Sequence, residues 1–125
     1  MARIRTIKPE FWTNERLSSL HLDAHFLAAA LLNYADDYGY FNANPVLVQA
    51  ACCPLRSLGE ESVNVPRSLG ELSGVGYLRL GEAEDGRRYG WIVGFTKHQR
   101  VEKPTPSKIK DLCQFPDTSP PPPRI

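Results

Sequence analysis

The pattern of hydrophobic positions predicts two helices in the first half of the chain. Residues 22–38 are apolar over most of a helical circumference, which is typical of a buried central helix, and Gly39 supplies its C-terminal stop. Asn44 followed by proline is a helix-start pair, since asparagine caps the helix and proline suits its first turn. This pair predicts a second helix over residues 45–52.

A third helix and a β-hairpin follow along the chain. The helix is expected from about Asn64 to Gly74, and its core-facing stripe has the spacing i, i+4, i+7: Val65, Leu69, Leu72 and Val75. Residues 77–80 and 89–93 have the composition of strands, and Asp85-Gly86 between them is a strong turn signal. Three helices followed by a hairpin is the element order of a winged helix-turn-helix.

Shorter segments complete the predicted domain. Residues 3–7 alternate polar and apolar side chains, which suits a short strand or an ordered arm, and Phe11-Trp12 would anchor this arm. A helical turn is expected over residues 15–20, capped by Thr13 or Asn14. Tyr40-Phe41 is short and aromatic, which favours a strand.

The composition changes after Thr96, where the chain becomes basic and polar, and again at Pro104, where prolines accumulate. A proline-rich segment with few apolar side chains lacks the means to form a core. The sequence therefore predicts an α+β winged helix-turn-helix domain, with a three-helix core and a C-terminal hairpin wing, over residues 1–103. A disordered, flexible tail is expected over residues 104–125.

The charge is nearly balanced in total but uneven along the chain. The 15 Lys and Arg and 14 Asp and Glu leave a formal net charge of +1 among 125 residues. Residues 1–20 hold four basic and two acidic side chains and residues 87–125 hold eight and three, whereas residues 21–86 hold three and nine. A polyanion is therefore expected to meet the two ends of the chain.

The sequence predicts a cytoplasmic protein without a membrane span. Its longest apolar run, residues 26–32, has seven residues, whereas crossing a bilayer takes about 20. No signal peptide is expected, because the basic N-terminal residues are not followed by an apolar stretch. The odd number of cysteines, three, does not suggest a disulfide framework.

Neither an enzyme nor a cofactor or metal site is expected. The chain has no Gly-rich phosphate loop and no nucleophile elbow. His21 and His25 have the i, i+4 spacing of a metal pair but no third ligand, which favours capping or surface roles. Cys52-Cys53 lacks zinc-site spacing and is interpreted as buried. Asp36 and Asp37 are expected at the exposed end of the central helix, about 100° apart, which disfavours an acid–base pair.

Candidate DNA contacts lie on the third helix, the hairpin and the termini. Arg67 and Ser68 would face outward to read base edges, with a solvated helix surface as the alternative. Arg87 and Arg88 would contact phosphates or the minor groove, or else neutralise the acidic hairpin tip. If the first and last ordered segments are neighbours, their charges make one patch that would bind phosphates, with a solubilising coat as the alternative: Arg3, Arg5, Lys8, Lys97, His98, Arg100, Lys103, Lys108 and Lys110.

Several motifs in the sequence resemble the N-terminal domains of phage and prophage replication initiators, the replisome organisers. The opening MARIRTIKPEFW (residues 1–12) is similar to the start of that family, and YADDYG (34–39) resembles the segment that closes its central helix. The run from LGEL to GYL (69–78) resembles its third helix leading into the wing. YGWIVGFTKHQR (89–100) and PTPSK (104–108) match its closing strand and linker.

The resemblance covers roughly residues 1–108 and implies a winged-helix module that marks an origin and recruits the replicative helicase or its loader. We therefore expect a phage-encoded protein that binds duplex DNA in the bacterial cytoplasm. The alternative is a phage protein that uses the same scaffold to bind and inhibit a host replication or defence complex. A homodimer is compatible with both functions.

Overall fold

The computed structural model describes residues 3–56 and 63–115 of the chain. Within them lies a small α+β domain with six helices and one three-stranded antiparallel sheet, which confirms the α+β part of the prediction. The elements in chain order are α1 (Glu10–Thr13), α2 (Glu15–Ser18), α3 (Leu22–Tyr34), β1 (Tyr40–Asn42), α4 (Pro45–Cys52), α5 (Val65–Gly74), β2 (Leu78–Glu82), β3 (Arg88–Ile92) and α6 (Phe95–His98).

The core forms around α3, on which α4 and α5 pack. Leu27 and Leu31 are fully buried in this helix, and the core continues into the sheet through Phe41 and Leu78. The caps fall where the sequence predicts them. The side chain of Asn44 accepts a hydrogen bond from the Val46 amide at the start of α4, and the side chain of Asn64 caps α5 in the same manner. The predictions for α4 and α5 are confirmed.

Helix α3 is shorter and less buried than the sequence predicts. It ends at Tyr34 because Ala35 takes an extended conformation, and Asp36 Oδ1 then accepts the backbone N–H groups of Tyr38 and Tyr40 at 2.9 and 3.0 Å. One face of the helix lies open, since Leu22 is 84% exposed and Phe26 is 41% exposed. The face with Leu22 and Phe26, which the apolar pattern places on the buried central helix, is therefore open.

The three strands lie in the order β1-β3-β2, all antiparallel. This pairing places Phe41 opposite Gly90, and a Cβ at position 90 would come within 2.2 Å of the Phe41 ring. Glycine is therefore required there by close packing rather than by a turn. Gly86 has a φ of +86° in the hairpin between β2 and β3, which agrees with the predicted turn.

The segment that follows Pro104 does not behave as one flexible tail. The Thr105 amide donates to Asp37 Oδ2 at 2.8 Å, and the Ser107 hydroxyl donates to Asp36. Further on, the Phe115 ring packs 5.3 Å from the ring of Tyr40 on the sheet. Residues 104–115 therefore lie against the domain, because polar anchors replace the apolar ones that the composition lacks. Residues 116–125 of the predicted tail lie outside the described residues.

Among the helices of the described residues, none combines the length and the apolar composition needed to cross a bilayer.

Candidate nucleic-acid interface

Two basic side chains of the N-terminal arm are held by one buried carboxylate. The Arg5 side chain is only 4% exposed, and its guanidinium donates to Asp37 Oδ1 at 3.1 Å and to the carbonyl oxygens of Leu32 and Ala35. It also lies 5.0 Å from the centre of the Phe95 ring. Arg3 Nε lies 3.3 Å from the same carboxylate oxygen. Arg5 is thus part of the domain interior.

The prediction that Asp37 lies at the exposed end of the central helix is wrong, since this residue is only 3% exposed. The Thr105 amide, Arg5 and Arg3 donate to the carboxylate or lie beside it, which lowers the pKa of Asp37 from its ordinary value of 3.8 although burial opposes the shift. The carboxylate is therefore ionised at neutral pH. It ties the start of the chain to the segment after Lys103.

The arm also docks onto the region that follows α6. The Thr6 amide donates to Gln99 Oε1 at 2.9 Å, and Gln99 Nε2 donates back to the Thr6 carbonyl oxygen at 2.7 Å. Gln99 is buried, so this reciprocal pair fixes the arm beside α6. The first and last ordered segments of the domain are therefore neighbours, which is the condition that the predicted basic patch required.

This docking places exposed basic side chains of the arm and of the region after β3 in neighbouring segments, and we name this set the basic surface. Within the described ranges none of them forms an ion pair, in contrast to Arg3 and Arg5. Carboxylates nearby are Glu10 on α1 and Glu102 beside the last member. The basic surface comprises Lys8, Lys97, His98, Arg100 and Lys103. Lys108 and Lys110 are exposed on the segment that lies against the domain farther along the chain.

Helix α5 presents fewer free side chains for reading base edges than the sequence predicts. Arg67 Nη2 lies 2.6 Å from Asp23 Oδ2, and Arg67 Nε lies 3.5 Å from Glu71 Oε2. Ser68 is fully buried and its hydroxyl has no hydrogen-bond partner among the described residues. The prediction that Ser68 faces outward is wrong, because it lies three residues after Val65 and therefore on the core side of the helix.

The carboxylates around Arg67 form a network between the starts of α3 and α5. Burial acts to raise the pKa of Asp23, but hydrogen bonds from the Asn64 amide and the Arg67 guanidinium lower it below its usual value. Glu71 is also shifted downward: burial opposes this, while hydrogen bonds from His21 lower its pKa. Two ionised carboxylates therefore flank the one arginine of this helix, which weakens its attraction for phosphate.

Arg87 and Arg88 at the tip end of the hairpin lie far from the basic surface. Arg87 Nε lies 3.5 Å from Asp85 Oδ2 at the exposed tip, whereas Arg88 is exposed and has no ion-pair partner in the described part of the chain. Strand β3 runs from Arg88 to Ile92, and α6 follows it. Five residues of strand span roughly 17 Å, so the two groups of cations lie at opposite ends of β3.

The two histidines that had metal-pair spacing make protein contacts. His21 Nδ1 lies 2.6 Å from Glu71 Oε2, and His25 Nε2 lies 3.1 Å from the Phe11 carbonyl oxygen. The His25 ring also packs on the rings of Phe11 and Trp12. No group of three or more metal-ligating side chains occurs within residues 3–56 and 63–115.

Sequence reasoning missed the residues that hold the two ends of the domain together. No local sequence signal points to Gln99, and the sequence predicts Asp37 at the exposed end of the helix, although both residues organise the site. The one available signal is the spacing of Arg3 and Arg5. Residues i and i+2 of an extended arm lie on the same face, so the two arginines are expected side by side. Their partner stands 32 residues from Arg5, and no local periodicity marks it.

Comparison of the chain with protein-family models, with curated proteins and with solved structures gives no match in any of the three.

Proposed function

We propose that this chain is a winged-helix module that binds duplex DNA mainly through phosphate contacts, in keeping with its resemblance to phage replication initiators. The element order α3–β1–α4–α5–β2–β3 supports the proposal, because a winged helix needs three helices, a hairpin and a first strand that completes the sheet. In this proposal, α5 is the third helix and the β2–β3 hairpin is the wing. The helicase or its loader is the further partner that the resemblance suggests.

The single observation that carries the proposal is the basic surface. Its five members are exposed, and none is engaged in an ion pair with another described residue. Cations of this kind bind phosphates by releasing counterions, which yields affinity without sequence preference. If four of them contact phosphates, the logarithm of the binding constant should fall with the logarithm of salt concentration with a slope of about −4.

The contacts of α5 argue for limited base reading. Arg67 is engaged by two carboxylates and Ser68 is buried, so the helix presents few free donors to a base edge. Arg88 on the hairpin remains available for a phosphate. We therefore expect similar affinity for unrelated duplex sequences, with the basic surface as the principal contact.

The experiment is a fluorescence anisotropy titration of two unrelated duplexes over a series of salt concentrations. We expect the variant Lys97→Glu, Arg100→Glu to lose at least tenfold in affinity and to reduce the salt slope by about 2. The matched control is Arg56→Glu, which reverses an exposed cation outside the basic surface and should lose far less. Retention of wild-type affinity and slope by the double variant contradicts the proposal.

The open face of α3 favours a second candidate function, the binding of a host protein complex. Leu22 and Phe26 expose apolar surface on this face, and Leu22 lies between His21 and Asp23, which join the ion-pair network with α5. An apolar centre with charged neighbours is typical of protein interfaces. The variant Leu22→Ser, Phe26→Ser should abolish a protein interaction and leave duplex affinity unchanged, whereas the charge reversals on the basic surface should do the opposite.

A further inference from the structure

A groove of about 600 Å³ lies between the N-terminal arm and the body of the domain. Its floor is apolar and consists of core side chains, among them Leu17, Leu32 and Phe95. Ile7 of the arm and other exposed residues form its rim, so the groove is open to solvent rather than enclosed. Its volume lies in the range of sites that bind ligands.

Among the charged side chains of the rim, basic ones outnumber acidic ones. Lys8, Arg16 and His98 line the groove, and Glu10 is the carboxylate that faces them. Arg16 is partly buried, yet its guanidinium has no hydrogen bond and no ion pair with any residue that the structure describes. A guanidinium carries five N–H donors, and the Arg16 nitrogens are not among the buried polar atoms without a partner, so a ligand carboxylate can replace water on them. An anionic group placed there would satisfy these donors.

We propose that this groove binds an acidic peptide segment of a protein partner, with a carboxylate on Arg16 and bulky apolar side chains on the groove floor. Charge complementarity favours an acidic ligand, since the rim carries two cations, Lys8 and Arg16, beside one carboxylate, Glu10. The apolar floor selects Leu- or Phe-like neighbours of that acid, which DNA does not supply. An open groove leaves one side of its occupant in water, as suits a peptide chain.

The peptide groove can be tested separately from the phosphate contacts proposed above, because some of its residues belong to it alone. Lys8 and His98 border both surfaces, but Arg16 and Ile7 belong to the groove alone. Variants of Arg16 and Ile7 therefore test the peptide site without changing the other members of the basic surface. Removing the Arg16 side chain breaks no hydrogen bond and no ion pair with a described residue, so the fold should be retained.

The probe is a short fluorescein-labelled peptide in which Asp or Glu alternates with Leu and Phe. We expect saturable binding that weakens about tenfold for Arg16→Ala, weakens further for Arg16→Glu, and weakens several-fold for Ile7→Ser. Arg56→Ala is the matched control and should bind as the wild type does. Circular dichroism checks that each variant is folded, and amide chemical shifts in the complex should change around the groove.

Two control peptides make the result decisive. Replacing the acids by Lys should abolish binding, and replacing Leu and Phe by Ser should weaken it to the level of a purely electrostatic contact. Equal binding of the Lys peptide, or wild-type affinity in folded Arg16→Ala, overturns the proposal. A competition test uses anilinonaphthalene sulfonate, an aromatic dye with one anionic sulfonate. The proposal is also overturned if this dye occupies the groove and the acidic peptide fails to displace it, since the site would then favour small molecules.

Discussion

Replacing Asp37 by Asn removes the charge that faces the buried Arg5 guanidinium while keeping the shape of the side chain. In the wild type the two groups meet at 3.1 Å, with their side chains 1% and 4% exposed. Removing one partner of a buried ion pair costs about 3–5 kcal/mol, because the other charge remains buried without compensation. Arg5 keeps its hydrogen bonds to two carbonyl oxygens, so we expect the lower end, about 3 kcal/mol.

The assay is urea denaturation followed by circular dichroism and tryptophan fluorescence, together with a thermal melt. A loss of about 3 kcal/mol should lower the melting temperature by roughly 10 °C in a domain of this size. The matched control is Asp85→Asn, because Asp85 and Arg87 form an ion pair that is exposed on both sides. Loss of that pair should cost less than about 1 kcal/mol.

For the same variant we also predict how the loss of stability depends on pH, and the sign follows from the lowered pKa of Asp37. A carboxylate with a lower pKa in the folded state stabilises the protein at pH values above its ordinary pKa of 3.8. That stabilisation is lost as the pH falls through the folded-state pKa. The difference between wild type and Asp37→Asn should therefore be largest near neutral pH and shrink in acid. A difference below about 1 kcal/mol at neutral pH would refute the reasoning.

Three further predictions concern packing. In Gly81→Ala the new Cβ would lie 2.3 Å from the Gln114 carbonyl oxygen, so the C-terminal segment should detach and become sensitive to proteolysis, whereas Gly70→Ala, which meets nothing within 4 Å, should leave it protected. Ser68→Ala removes a buried hydroxyl without a partner, so the urea midpoint should stay or rise; a loss above about 1 kcal/mol contradicts this. Burial raises the pKa of Cys52 to about 12, so its alkylation should be far slower in the native protein than in urea; equal rates, measured by mass spectrometry, contradict it.

The local signals of the sequence were sufficient for most elements. Asn44 and Asn64 mark the starts of α4 and α5, and Gly86 marks the hairpin, because capping and positive φ are decided by residues close in sequence. The predicted cap of the short turn also holds, since the Asn14 side chain accepts two backbone N–H groups of α2. The positions of β2 and β3 agree with the prediction to within two residues.

The long-range contacts of the site were not accessible in the same way. Asp37 of the YADDYG motif accepts hydrogen bonds from Arg5 and Thr105, which lie 32 and 68 positions away, and periodicity carries no information about such pairs. Composition alone suggested a mobile segment after Pro104, yet Thr105 and Ser107 anchor it through hydrogen bonds rather than through apolar burial. The short α6, with only four residues, has no periodic signal to detect.

The docking of the arm by Gln99 organises the basic surface, since it brings Lys8 and His98 to the same groove. The most direct test is the duplex affinity of Gln99→Ala at low salt, measured by anisotropy on a protein shown to be folded. This variant leaves every charge in place but removes both hydrogen bonds to Thr6. We predict a loss of several-fold in affinity with a shallower salt slope; wild-type affinity and slope would contradict the account.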